Sequence, residues 1–344
     1  MARADGLTVG VVGATGMVGL ELLSQLERRC FPLKVLLPFS SGVRRKTVRF
    51  RSRTLPAPAV DRTALAACDL VFFVSSDAVA RRLAPVLAPR GIWCIDDSAA
   101  FRLDPNVPLV IPEVNAAALR RDRRLISGPN CTMTGLAVAG HALHRAVGVR
   151  EIRVASYQAV SGAGTAALRE FFGQARAVAR QLNDDGPAPI LKPQASRSLP
   201  ASIACNIIPQ VGSFDKRGES SEETKVAAEL RKVWDAPRLR VSVTAVRVPV
   251  VRGHSLAAWL TCREPLSTAR ASRLLAAAPG LRFSSSGYPT PLTVGGKDAV
   301  YAGRLRRGVD GRELCLWIVS DNLLKGAALN SLQIAEELLR RRWL

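Results

Sequence analysis

The alternation of apolar and polar positions changes period several times along the chain. Residues 7–12, LTVGVV, form a short β-branched apolar run. A glycine-punctuated turn follows, and then Val18, Leu22 and Leu26 recur at helical spacing through MVGLELLSQLERR, which predicts strand, turn and helix. Further strands are predicted at 33–37, 69–74, 91–95 and 109–111, with a helical stretch at 78–88. Strands that alternate with helices predict a parallel sheet covered on both faces.

The pattern changes after Cys131. A helix over 132–146 leads to apolar or alternating strands at 151–160, 240–250, 255–262 and 313–319, with a helix near 164–183. The polar stretch 184–201, NDDGPAPILKPQASRSLP, reads as a surface excursion. The final segment, 322–343, is amphipathic and helical, and is expected to pack back on the first domain. The expected fold class is an α/β Rossmann-type dinucleotide-binding domain, 1–130 with 322–344, plus an α+β catalytic and dimerisation domain, 131–321.

Length and composition narrow the function. A chain of 344 residues, 48 % apolar and 22 % charged, suits two globular domains and excludes disorder. No apolar run is long enough to span a bilayer and the start, MARADGLTVG, carries no secretory leader, so a soluble, cytoplasmic protein is expected. Seven cysteines without a C-x-x-C pair suggest neither a disulfide framework nor zinc. Three histidines are too few for a multi-histidine centre, and His141 and His144 read as ordinary helix residues, so no metal is expected. The net charge of +21 attracts anions, but the cations are spread along the chain and aromatics are only 5 %, so a nucleic-acid partner is not expected.

The turn after the first strand reads GVVGATGMVG, with Gly10, Gly13, Gly16 and Gly19. Glycines there permit a tight bend and let backbone N–H groups approach a pyrophosphate at the positive end of a helix. We therefore assign Gly10, Gly13, Ala14, Thr15, Gly16, Met17 and Val18 to a dinucleotide site. A site for NAD usually carries an acid about 20 residues further on. Here no acid occurs between Glu27 and Asp61, and that interval holds Ser40, Ser41 and a run of cations including Arg44 and Arg45, which favours the 2′-phosphate of NADP.

Cys131 follows a Pro-Asn turn in SGPNCTM, at the start of a helix whose N–H groups favour a thiolate. GVVGATGMVG, DDSAAFR, SGPNCTM, SYQAVSGAG, NIIPQVG, EETK, VRVPVVRGHS and DNLLKGAALNSLQIAEELL occur in this order. Over essentially its whole length the chain resembles the aspartate-β-semialdehyde dehydrogenase family. The resemblance implies reductive dephosphorylation of β-aspartyl phosphate by NADPH, within lysine, threonine and methionine biosynthesis, by a homodimer.

In that resemblance Cys131 matches the nucleophile, His254 the general acid/base and Gln158 the amide that orients the acyl group. Arg247 matches the residue that holds the substrate α-carboxylate, and Glu222 the one that holds its ammonium. Lys225, Arg102 and Asn130 match the phosphate site, and Ser161, Gly162 and Asn322 further cofactor contacts. Arg247 and His254 lie seven apart, which in one unbroken strand puts them on opposite faces, so Pro249 and Gly253 are expected to break it. Two departures stand out: Asp97 occupies a position where the family commonly has asparagine, and PFSSGVRRK replaces the usual 2′-phosphate stretch. A sister reductase acting on N-acetylglutamyl phosphate, or a non-catalytic anion-binding relative, stays open as an alternative.

Overall fold

The computed structural model describes residues 6–43, 45–181 and 190–344. Its strands are β1 (Leu7–Val12), β2 (Leu33–Phe39), β3 (Thr47–Phe50), β4 (Arg53–Pro56), β5 (Leu70–Phe73), β6 (Trp93–Asp96), β7 (Leu125–Ser127), β8 (Val149–Gln158), β9 (Arg240–Arg247), β10 (His254–Cys262), β11 (Leu281–Phe283), β12 (Val300–Arg307) and β13 (Glu313–Ser320). Its longer helices are α1 (Met17–Arg28), α2 (Asp77–Leu87), α3 (Cys131–Val147), α4 (Thr165–Ala179), α5 (Ser221–Val233), α6 (Thr268–Ala276) and α7 (Leu329–Arg340). The chain divides into two compact units, one of residues 1–141, 228–237 and 323–344 and the other of 142–227 and 238–322. Residues 131–141 and 228–237, expected in the second domain, fall in the first unit, and residue 322, expected in the first, falls in the second.

The first unit is built on an all-parallel sheet in the order β2-β1-β5-β6-β7. Its central strands are apolar on both faces because both faces are covered. Val9, Val11 and Phe72 pack with Leu22 and Leu26 of α1 and with Leu332 and Leu338 of α7. Val12, Val71 and Phe73 face the other way, toward Leu83, Ala84 and Leu87 of α2. Residues 109–111 do not form the expected strand; Leu109 makes only an isolated bridge to Ser127, and β7 takes the fifth position. Pro108 and Pro112 flank that run and deny it ladder donors at both ends. The β3–β4 hairpin was not foreseen either, because its turn uses Arg51 and Ser52 at φ 47° and 63° where an Asn-Gly signal is usual.

The second unit carries a mixed sheet in the order β11-β12-β13-β10-β8-β9, parallel only at β8–β9 and β11–β12. The strand expected over 240–250 stops at Arg247, where Pro249 follows. β12 escaped the sequence reading because a register shift between Gly303 and Arg306, with Arg304 at φ 53°, breaks its alternation. Of the polar stretch 184–201, residues 184–189 lie outside the described residues, and 190–201 hold neither helix nor strand. Among the described residues no helix is long and apolar enough to cross a membrane.

Candidate active site

In the first unit a cavity of about 490 Å³ opens at the C-terminal ends of β1 and β5, where a doubly wound sheet places its ligand. Gly13 turns the chain at φ +95°, and a Cβ there would lie 2.5 Å from the Val74 carbonyl oxygen, so only glycine fits. The N–H groups of Gly13 and Ala14 donate to Phe39 O, at 3.0 and 2.9 Å. The part of the motif suited to an anion is therefore the first turn of α1, which Met17 and Val18 open after Gly16.

Thr15, Gly16, Ser40 and Ser41 line this cavity, whereas Gly10 lies within β1 and Ala14 is fully buried. The Ser40 hydroxyl is turned back to Ala57 O at 2.7 Å. Arg44 lies outside the described residues. Lys46 and Arg82 line the cavity with no carboxylate beside them in its wall, and the buried Ser75 hydroxyl there has no partner among the described residues. This donor set fits a phosphate-bearing dinucleotide. Arg82 and Ser75 carry no signal of their own in the sequence: they belong to the loop and helix after β5 and come to the turn only through sheet pairing.

Also in this unit, Asn130 caps α3. Its Oδ1 accepts from Thr132 N at 2.8 Å and Met133 N at 3.1 Å, which fixes Cys131 as the first helical residue. Cys131 is half-buried, while Cys68, Cys94, Cys262 and Cys315 are buried. Burial pushes the Cys68 thiol up to about 12 and that of Cys262 to about 11. The backbone around Cys131 is pinned by a charge pair that the sequence did not disclose. Glu229, 1 % exposed, accepts from Asn130 N at 2.6 Å and from Arg102 Nη1 at 3.1 Å.

Burial opposes the Arg102 charge, but the Glu229 carboxylate beside it more than offsets that and raises its pKa. Arg102 Nη2 donates to Asp97 O at 2.6 Å, while its buried Nε has no partner among the described residues. The hydrogen bond from that guanidinium goes to the Asp97 backbone and not to its carboxylate. Its Oδ1 accepts from Ser331, and burial pushes its pKa up to about 6.

A second support for Cys131 comes from the segment before α7. A Cβ on Gly326 would lie 2.8 Å from Cys131 Cβ, so this backbone packs directly on the cysteine. Gly326 sits in a π-helical turn, Leu324–Ala328, whose buried Lys325 donates to Glu113 at 2.6 Å, Gln333 at 2.6 Å and Asn330 at 3.1 Å. Burial opposes the Glu113 charge, but Lys325 beside it prevails and lowers its pKa.

In the second unit the strand order gathers the remaining candidates. Gln158 ends β8 and pairs with Arg247 at the end of β9, and His254 opens β10 at the same edge. The chain break expected at Pro249 and Gly253 is what lets Arg247 and His254 converge: a Cβ on Gly162 would lie 2.9 Å from Arg247 Nη1 and 3.2 Å from His254 Cε1. His254 is buried, and its Nδ1 accepts from Ala159 N at 3.0 Å, so the neutral ring carries its proton on Nε2. Burial, then the Arg247 charge, hold the imidazole pKa well below its ordinary value.

Arg247 donates to Ala159 O at 2.8 Å, and Gln158 Nε2 donates to Glu222 Oε1 at 3.1 Å. Lys225 lies one turn on from Glu222 in α5. Ser161 and Asn322 are hydrogen-bonded to each other at 2.9 Å, and Asn322 Oδ1 accepts from Gly253 N at 2.8 Å. The structure thus places Ser161, Gly162 and Asn322 next to His254. Among the described residues no cluster of side chains is suited to hold a metal ion.

Two family models match the chain: the semialdehyde dehydrogenase NAD-binding domain over residues 8–121 and the semialdehyde dehydrogenase dimerisation domain over 141–325. The aspartate-semialdehyde dehydrogenase of Bacillus subtilis is 38 % identical over 340 residues, covering 97 % of each chain. The crystal structure of aspartate semialdehyde dehydrogenase II from Vibrio cholerae superposes with a TM-score of 0.91 at 35 % identity, over 97 % of this chain and 99 % of that one. The same enzyme complexed with ASA also gives 0.91, at 34 % identity over 98 % and 99 %.

Proposed function

The chain belongs to the semialdehyde dehydrogenase family, and on that premise we propose that it is an NADP-dependent aspartate-semialdehyde dehydrogenase. It reduces β-aspartyl phosphate to aspartate β-semialdehyde and phosphate, reversibly, on the way to lysine, threonine and methionine. The observation that carries this reading is Cys131, half-buried at the first position of a capped helix while four other thiols are buried.

The Cys131 thiolate attacks the acyl carbon, the C–O bond to phosphate breaks, and a thioester forms. When bound, the nicotinamide supplies hydride to the thioester carbon. Expulsion of the Cys131 thiolate from the resulting hemithioacetal oxyanion releases the aldehyde. His254, neutral with its proton at Nε2, is suited to donate a hydrogen bond to that oxyanion. Gln158 orients the acyl group. The guanidinium of Arg247 takes the substrate α-carboxylate and Glu222 its ammonium. Arg102, Lys225 and Asn130 serve the departing phosphate.

NADP is preferred over NAD because the cavity wall offers Lys46 and Arg82 and no carboxylate. The match to a dimerisation domain supports a homodimer. Seven free thiols suit the reducing cytoplasm. The test is turnover of aspartate semialdehyde with phosphate and NADP. N-acetylglutamate semialdehyde in its place separates this enzyme from the sister reductase, and Lys46→Met is expected to lower kcat/KM for NADP more than for NAD.

A further inference from the structure

The parallel sheet has a second polar cavity, at the end opposite the dinucleotide cavity. It occupies about 520 Å³ beside Leu7, the first residue of β1, and Trp93, the first of β6. The length of β1, ~17 Å at about 3.3 Å per residue, separates it from Val12 and the glycine turn. Arg90, Arg121, Arg124 and Arg342 line it, together with Leu344 and with Asp69, whose Oδ2 accepts from Thr8 N at 2.9 Å. None of the four is ion-paired to a carboxylate among the described residues, and Asp122, next to Arg121, is paired with Arg123 instead. Arg124 is half-buried, and its pKa is lowered by that burial and by the like charge of Arg121.

The surroundings hold Arg124 in place, while Arg90, Arg121 and Arg342 are exposed at the rim. The Arg124 guanidinium lies 4.3 Å from the centre of the Trp93 ring, and Trp343 stacks on the same indole at 6.3 Å with planes 6° apart. Trp93 Nε1 donates to Trp343 O at 3.1 Å. That stacking depends on how α7 ends: Arg342 N donates to Leu339 O, Trp343 N donates to Leu338 O, and Arg342 sits in the left-handed region at φ 58°. Glycine is the usual residue there, so an arginine is held at a conformational cost. Four unpaired guanidinium groups converging on one cavity repel one another, and a bound anion relieves that repulsion.

We propose that this cavity is a binding site for a compact, phosphate-bearing polyanion, distinct from the dinucleotide site. The rings argue against a nucleobase as the recognised part. Trp93 is already contacted by Arg124 and Trp343, and Trp343 by Trp93 and by Arg341 at 4.9 Å, so neither offers an open platform for stacking. The ligand is read by charge and by guanidinium geometry.

Isothermal titration with inorganic pyrophosphate, in the presence and absence of saturating NADP, tests the proposal. Binding is expected to persist with NADP present and to weaken about tenfold or more in Arg121→Gln/Arg124→Gln. Arg342→Gly separates binding from folding, since it removes a cation while relieving the left-handed strain; it is expected to weaken binding in a protein at least as heat-stable as the parent. Pyrophosphate heat that vanishes under NADP, that survives all these substitutions, or that sodium chloride at equal ionic strength reproduces overturns the site.

Discussion

The surroundings of Cys131 and of His254 are built on opposite electrostatic principles. Cys131 lies on a backbone tied down by two buried charge pairs, Glu229 with Arg102 and Lys325 with Glu113. His254 is kept uncharged: burial and a neighbouring guanidinium hold its ring neutral, and one backbone N–H fixes its tautomer. A group proposed to act as an anion is surrounded by charges that satisfy one another and so position it. A group proposed to donate a hydrogen bond from Nε2 is kept from taking a second proton.

Breaking the charge pairs is expected to have the largest effect after loss of the nucleophile. Glu229→Ala leaves the Arg102 guanidinium buried and uncompensated and removes the acceptor of Asn130 N, at a cost of ~3–5 kcal/mol in unfolding free energy. Urea denaturation measures it. Lys325→Met leaves Glu113 without its cation and is expected to cost ~2–4 kcal/mol by the same measurement, with turnover falling further than stability predicts because the turn against Cys131 loosens.

Gly326→Ala sharpens the contrast without touching a charge. Its Cβ would meet Cys131 Cβ at 2.8 Å, so kcat is expected to fall about 10- to 100-fold with KM for NADP nearly unchanged. The corresponding change beside the histidine, Gly162→Ala, presses on Arg247 and His254, and steady-state kinetics should show KM for the aldehyde rising with kcat falling.

The smallest effect is a pH dependence. Burial raises Asp97 from 3.8 to about 6, so between those values the unfolded chain releases a proton that the folded chain keeps. Stability therefore falls as pH rises through that window and stays lower above it. Asp97→Asn is expected to gain ~1–3 kcal/mol at pH 7 and nothing at pH 3.5, as read from denaturation at the two values.

What the sequence disclosed was local. The glycine turn, the helix after it and the cysteine after a Pro-Asn turn are each written within ten or so consecutive residues, and the structure has all of them in those elements. The convergence of Gln158, Arg247 and His254 is a property of strand order, and their roles came from the family resemblance alone. Glu229, Lys325 and Arg82 went unrecognised because their significance lies in partners far along the chain: Glu229 meets Arg102 across 127 residues and Lys325 meets Glu113 across 212. The β3–β4 hairpin and β12 were missed for a different reason, since left-handed residues other than glycine carry no sequence signature.

The most direct test of Cys131 as nucleophile is the rate of NADP reduction by aspartate semialdehyde and phosphate in the parent protein and in Cys131→Ala. The account predicts ready turnover in the parent and a loss of at least ~10³-fold in the variant, with its fold and thermal midpoint intact. Turnover that survives the substitution would contradict it.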